Sequence, residues 1–145
     1  MSEMQQREVS VLLVEDDEID AEAVIRSFRA SKIANPITVA SDGVEALRIL
    51  RGENGRNPLK RPYVVLLDLN MPRMNGLEFL AALREDPALS DSVIFVLTTS
   101  SAEDDRIQSY SQHVAGYMVK SEVGPSFKNA IELIDHYWTT VVLPE

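Results

Sequence analysis

An acidic triplet, Glu15-Asp16-Asp17, and three isolated residues, Asp68, Thr98 and Lys120, are the side chains whose types could do chemistry together. Each follows directly on an apolar run: VSVLLV (9–14), YVVLL (63–67), VIFVL (93–97) and GYMV (116–119). Brought together, the carboxylates would repel one another and need a counter-cation. Magnesium fills that role with a few carboxylates, carbonyls and waters, and commonly shares a phosphate. Lys120 could balance one carboxylate and then a phosphate oxygen, and the Thr98 hydroxyl could donate to another. An aspartate can attack phosphorus to give an acyl phosphate. Phosphoryl transfer asks mainly for positioning and charge neutralisation. A single Asp after a strand is more often a helix cap or turn residue. The same polar ending on four apolar runs is what favours a site.

Those runs are short and fully apolar, as in strands buried on both faces. Between them lie helical patterns. Ala21, Val24, Ile25 and Phe28 recur at helical spacing, as do Val44, Leu47 and Leu50 after Asp42, a candidate cap. Ile37 to Ala40 is a further strand, and Arg51 to Pro62 is loop composition. The turn Met71-Pro72-Arg73-Met74-Asn75-Gly76 leads into a helix from about Leu77 to Arg84, with Gly76 expected at positive φ. Ala102 to Gln112 reads as a polar helix and Phe127 to Val142 as the last one. Strand and helix alternate five times, which predicts one doubly wound α/β domain with a parallel sheet. In such sheets ligands sit at the carboxyl ends of the strands, which is where the four polar endings fall.

The bulk composition narrows the alternatives. The chain has 145 residues, enough for one domain with a real core. It has no cysteine, which excludes disulfides and thiolate chemistry. With 23 acidic and 14 basic residues its net charge is −9, unsuited to nucleic acid. No apolar run approaches membrane-spanning length and no signal-peptide core is visible, so the expected location is cytoplasmic, without a membrane partner. His113 and His136 have no metal-type spacing and read as surface residues, while Met71, Met74 and Met118 read as packing residues.

The segments VLLVEDD (11–17), LLDLNMPRMNG (66–76), VLTTSS (96–101) and GYMVK (116–120) together resemble the receiver domains of two-component response regulators. The resemblance spans nearly the whole chain, with 30 residues from Asp68 to Thr98 and 22 from Thr98 to Lys120. It implies a flavodoxin-like fold, five parallel strands in the order 2-1-3-4-5 with five helices. It implies a signalling protein rather than an enzyme, phosphorylated by a sensor histidine kinase. Asp68 is then the phosphoacceptor. Glu15, Asp16, Asp68 and the Asn70 carbonyl hold magnesium, for which manganese can substitute, with Glu15 acting directly or through water. Thr98 and Lys120 contact the phosphate and Tyr117 is the aromatic switch. Asn70 and Ser100 stand where the family tunes dephosphorylation. Asp17 stays open between a further acid of the site and a helix cap. The family usually has Pro, often with a cis bond, after the Lys; here Ser121 follows Lys120.

The basic insert Arg51 to Pro62 and the ending IDHYWTTVVLPE resemble the subgroup that works with bacterial phytochrome kinases, which implies a bacteriophytochrome partner. Residues 1–8 read as a tail, 9–140 as the receiver domain and 141–145 as a C-terminal extension. Phe127, Ile131, Ile134 and Trp138 should face the core, and the wider apolar arc of the last helix suggests a second contact. In the resembling subgroup that contact is a homodimer, expected here around Leu133, Tyr137, Trp138, Val141, Val142 and Leu143. No output-domain pattern follows, so signalling is expected through a phosphorylation-dependent protein contact or a phosphorelay. The rival readings are a phosphohydrolase of the haloacid dehalogenase type, which also uses Asp, magnesium, Thr and Lys, and a phosphate-independent scaffold.

Overall fold

The computed structural model describes residues 8–53, 55 and 57–145. Most of the expected N-terminal tail (1–7), and Asn54 and Arg56 of the insert, lie outside the described residues. In chain order the elements are β1 (Ser10–Val14), α1 (Glu18–Ala30), β2 (Ile37–Ala40), α2 (Gly43–Arg51), β3 (Tyr63–Leu67), α3 (Gly76–Glu85), β4 (Val93–Thr98), α4 (Glu103–Ser111), β5 (Gly116–Val119) and α5 (Lys128–Thr140). The strands form one sheet in the order β2-β1-β3-β4-β5, all pairs parallel. This is the five-stranded flavodoxin-like arrangement expected from the alternation and the resemblance.

The two-residue period of a strand divides the apolar runs between two cores. Leu12, Val14, Val65, Leu67, Ile94 and Val96 face one side, under α2 and α3. Val11, Leu13, Val64, Leu66, Phe95 and Leu97 face the other, under α1 and α5. Every residue of β1 and β3 is buried because helices cover both faces. Met71 and Met74 pack on the first core and Met118 on the second.

Helix starts are written in the sequence. Asp17 caps α1, accepting from the amides of Ile19 and Asp20. Asp42 caps α2 through the Glu45 amide. Asn75 and Glu78 form a reciprocal capping box on α3. The question left open at Asp17 is answered by the cap, and two expectations are corrected. The last helix stops at Thr140 rather than Val142, and Val141 is extended (φ −98°, ψ 138°). Its ending, Thr139-Thr140-Val141-Val142, is a β-branched run of low helix propensity, and Thr139 Oγ1 donates back to the Asp135 carbonyl. Gly76 is not in the left-handed region; its role, described below, is steric.

Candidate functional site

Strand register gathers the acids. Val14 lies opposite Leu67, and the Asp68 amide donates to the Val14 carbonyl at 3.0 Å. Glu15 and Asp68 therefore leave the sheet side by side. Thr98 lies opposite Val119, which sets Lys120 one residue further along the same edge. Glu15, Asp16 and Asp68 each offer an oxygen, all within 4.8 Å of one another. Asp16 is exposed, whereas Glu15, Asp68 and Thr98 are buried. Three carboxylate oxygens converging with one side open to water suit a hard divalent cation that keeps part of its hydration shell.

Lys120 supplies the counter-charge. Its side chain is only 8% exposed, and Nζ donates to Glu15 Oε1 and to Asp20 Oδ2, each at 2.7 Å. Asp68 Oδ2 is further away, at 3.6 Å. One ammonium thus serves three carboxylates. Burial is the largest influence on Glu15 and pushes its carboxyl up; Asp68 pushes the same way, against the hydrogen bond from Lys120, and the balance lies at about 7. Burial alone would lower the Lys120 ammonium, but its bonds to Asp20 and Glu15 and the charge of Asp68 raise it. The neighbouring carboxylates thus favour the charged form of Lys120.

The Lys120–Ser121 bond is not cis; among the described residues the one cis peptide is Arg61–Pro62. Lys120 instead opens a short 3-10 turn, Lys120–Glu122. The ammonium reaches the acids with Ser121 in place of proline.

The segment after β3 is tied down at both ends. The Gly76 amide donates to the Leu69 carbonyl at 2.9 Å. A Cβ on Gly76 would lie 2.6 Å from the Asp68 carbonyl oxygen and 2.7 Å from Leu69 Cα, so only glycine lets α3 start this close to Asp68. At the other end Arg73, left-handed at φ 61°, donates through Nε to Asp42 Oδ2 at 2.7 Å. Burial would raise the Asp42 carboxyl, but the Arg73 bond and the Glu45 and Val44 amides outweigh it and hold the group below the usual carboxylate range. The Asn70 amide approaches Asp68 Oδ1 at 3.4 Å, and its side chain approaches Thr99 Oγ1 at the same distance.

At the end of β4, the Ser100 amide approaches Thr98 Oγ1 at 3.4 Å. The Tyr117 hydroxyl donates to the Ser100 carbonyl at 2.9 Å, and Ser100 Oγ donates to Asp105 Oδ2 at 2.6 Å. Tyr117, half-buried, is thereby linked through Ser100 to the first turn of α4. All the residues expected around the acceptor lie on one edge of the sheet or in the loops leaving it. Asp20 is the member that sequence reasoning missed. The available signal was its place in the first turn of a helix that starts directly after the acidic strand end.

The residues expected at a dimer contact separate into two groups. Leu133, Val141 and Val142 are exposed. Tyr137 meets Phe95 edge-on with ring centroids 4.9 Å apart, Trp138 stacks on Phe28 at 6.0 Å, and Leu143 is 7% exposed within the α1/α5 core. These three pack against the core of their own chain. His113 and His136 are exposed, as expected.

The fold and the acidic edge define a phosphoacceptor signalling domain, and the comparisons agree: residues 11–132 match the response regulator receiver domain, and the chain belongs to that family. Among its relatives, the response regulator Rcp1 of Synechocystis sp. is 36% identical over 135 residues, 92% of each chain. The crystal structure of the phosphorylated cyanobacterial phytochrome response regulator RcpA is similar with a TM-score of 0.86 at 33% identity, covering 96% of this chain and 100% of that one. The Mn(2+)-bound form of Rcp1 is similar with a TM-score of 0.83 at 36% identity, covering 94% and 99%. Among the described residues, no helix is long and apolar enough to cross a membrane.

Proposed function

We propose that Asp68 accepts a phosphoryl group from a phosphohistidine of a sensor kinase, with magnesium held by Glu15, Asp16, Asp68 and the Asn70 carbonyl. The observation that carries the reading is Asp68 itself. It is a buried carboxylate with two further acid oxygens within 4.8 Å and an ammonium at 3.6 Å.

The chemistry follows from those positions. An Asp68 oxygen attacks phosphorus, a P–O bond forms, and the P–N bond to the kinase imidazole breaks with its electron pair leaving on nitrogen. A divalent cation, when bound, neutralises charge on the phosphoryl oxygens. Lys120, whose charged form its carboxylate neighbours favour, takes one phosphoryl oxygen. The Thr98 hydroxyl, whose contact to the Ser100 amide is long, is free to turn toward another. Movement of Thr98 would be felt at Ser100, and so at Tyr117 and α4. That helix buries only Ser109 and holds Ile107 and Tyr110 exposed, so its position is cheaply changed. Asn70 and Ser100 flank the phosphoryl position and set access of water, hence the lifetime.

The protein acts as a stoichiometric acceptor in the cytoplasm rather than as an enzyme turning over phosphate esters. The similarity to Rcp1 and RcpA makes a phytochrome-type kinase the favoured donor, and manganese a working substitute for magnesium. A homodimer would use Leu133, Val141 and Val142, the three outward-facing members of the expected contact. The test is incubation with magnesium and acetyl phosphate, followed by intact mass and mapping. The expected result is a labile single phosphoryl adduct on Asp68, lost in Asp68→Asn. An adduct on another residue, or none with acetyl phosphate or with phosphorylated kinase, overturns the reading.

A further inference from the structure

Asp20 stands third after the cap of α1, the position where an acid ordinarily reaches back to the amide of the capping residue. Here it does not. The Asp17 amide is taken by Glu15 Oε2 at 3.2 Å, and the Asp20 carboxylate, 29% exposed, turns to Lys120 Nζ at 2.7 Å. Lys120 is thus held by two close carboxylates, one from β1 and one from α1, and stands 0.9 Å further from Asp68 than from either. Glu15 belongs to the cation site and Asp68 to the phosphoryl group. Asp20 belongs to neither, and among the described residues its side chain bonds only to Lys120.

We infer that Asp20 is a positioning residue for Lys120, holding the ammonium on the α1 side of the site at rest and competing with the incoming phosphoryl group for it. The inference rests on Asp68 being the phosphoacceptor. An ammonium has three donors, and in the resting chain two are used at full strength. To meet a phosphoryl oxygen the side chain must lengthen or give up a contact, and the more exposed one, to Asp20, yields more readily than that to buried Glu15. Asp20 thereby raises the donor concentration needed to load the site and keeps Lys120 from closing on Asp68 prematurely. The anchor also suits a chain in which Ser121 replaces proline, because it fixes the Lys120 side chain from outside its own loop.

The experiment compares the unaltered chain with Asp20→Asn and Asp20→Glu, all verified as folded by circular dichroism. Half-saturating concentrations are measured for acetyl phosphate and, separately, for magnesium. Removing a partly exposed charged partner changes such an equilibrium by up to roughly fivefold. Asp20→Asn should lower the half-saturating acetyl phosphate concentration by that factor while magnesium affinity changes less than twofold, and Asp20→Glu should restore the unaltered value. A merely structural role for Asp20 would weaken both together. An unchanged or raised half-saturation in Asp20→Asn, or a parallel loss of magnesium affinity, overturns the inference. If Asp20→Asn does not fold, Asp20→Ser takes its place with the same two outcomes. Absence of an Asp68 adduct in the unaltered chain would sink the phosphoacceptor reading and this inference together. An adduct with no difference among the variants sinks the inference alone.

Discussion

Glu15 gives the site a pH dependence with a definite sign. Its carboxyl is pushed up from 4.5 to about 7, first by burial and next by Asp68, against the hydrogen bond from Lys120. A divalent cation binds the ionised form, so it must displace whatever proton Glu15 holds. One displaced proton at a group near 7 weakens apparent magnesium affinity about twofold at pH 7, about tenfold at pH 6 and about thirtyfold at pH 5.5, relative to the high-pH limit. The metal-free protein should show the opposite trend. Between about pH 4.5 and 7 the folded chain keeps a proton that the unfolded chain has released, so folding takes up a proton and stability falls as pH rises. The shift corresponds to about 3 kcal/mol at most, lost as pH climbs through that window and returned when magnesium binds. The assay is calorimetric titration of magnesium from pH 5.5 to 8, with thermal melts in magnesium and in chelator at each pH. The gap between the two melting temperatures should widen with pH. Glu15→Gln should flatten the affinity profile below pH 7. Equal magnesium affinity at pH 6 and pH 8 would refute the reasoning, because it would mean that Glu15 is ionised across the range or is not part of the cation site.

Gly76→Ala places a methyl 2.6 Å from the Asp68 carbonyl oxygen; overpacking against backbone of this kind costs about 1–3 kcal/mol, seen as a lower urea midpoint, and phosphorylation should slow as Asp68 shifts. Arg84 donates to four backbone carbonyls, those of Gln112, Ser90, Ser92 and His113; Arg84→Leu leaves them unpaired and should cost about 3 kcal/mol or more, whereas an unchanged midpoint would mean that water replaces the guanidinium without loss. Leu143→Ala should destabilise the folded protomer by about 2–3 kcal/mol because the side chain sits in the α1/α5 core. Leu133→Asp should leave stability within about 0.5 kcal/mol but shift sedimentation toward monomer; unaltered sedimentation of a dimer would remove Leu133 from the contact.

Much of the site was legible because strands impose simple rules. A buried parallel strand must be apolar throughout, so its polar successor stands out, and strand ends in a parallel sheet share one edge by topology. This is why Glu15, Asp16, Asp68, Thr98 and Lys120 could be singled out from residue order alone. The cap at Asp42 belongs to the same class, since a cap is a contact between residues two or three apart, whereas Asn75 was read only as part of a turn. Strand limits at 37–40, 63–67 and 116–119 were likewise local matters of composition.

What depended on distance through space was decided only by the tertiary structure. Asp20 and Lys120 are separated by 100 residues, and no pattern within α1 says that its first-turn acid will find an ammonium rather than its own helix cap. Gly76 looked like a turn glycine; the approach of α3 to the Asp68 and Leu69 backbone is what requires it. Helical spacing placed Tyr137 and Trp138 on an apolar arc, but only packing against Phe95 and Phe28 decided that they serve their own core and leave Leu133 outside. Periodicity specifies which face of an element is apolar. It does not specify what covers that face, because burial is a property of the neighbours that the whole chain brings there.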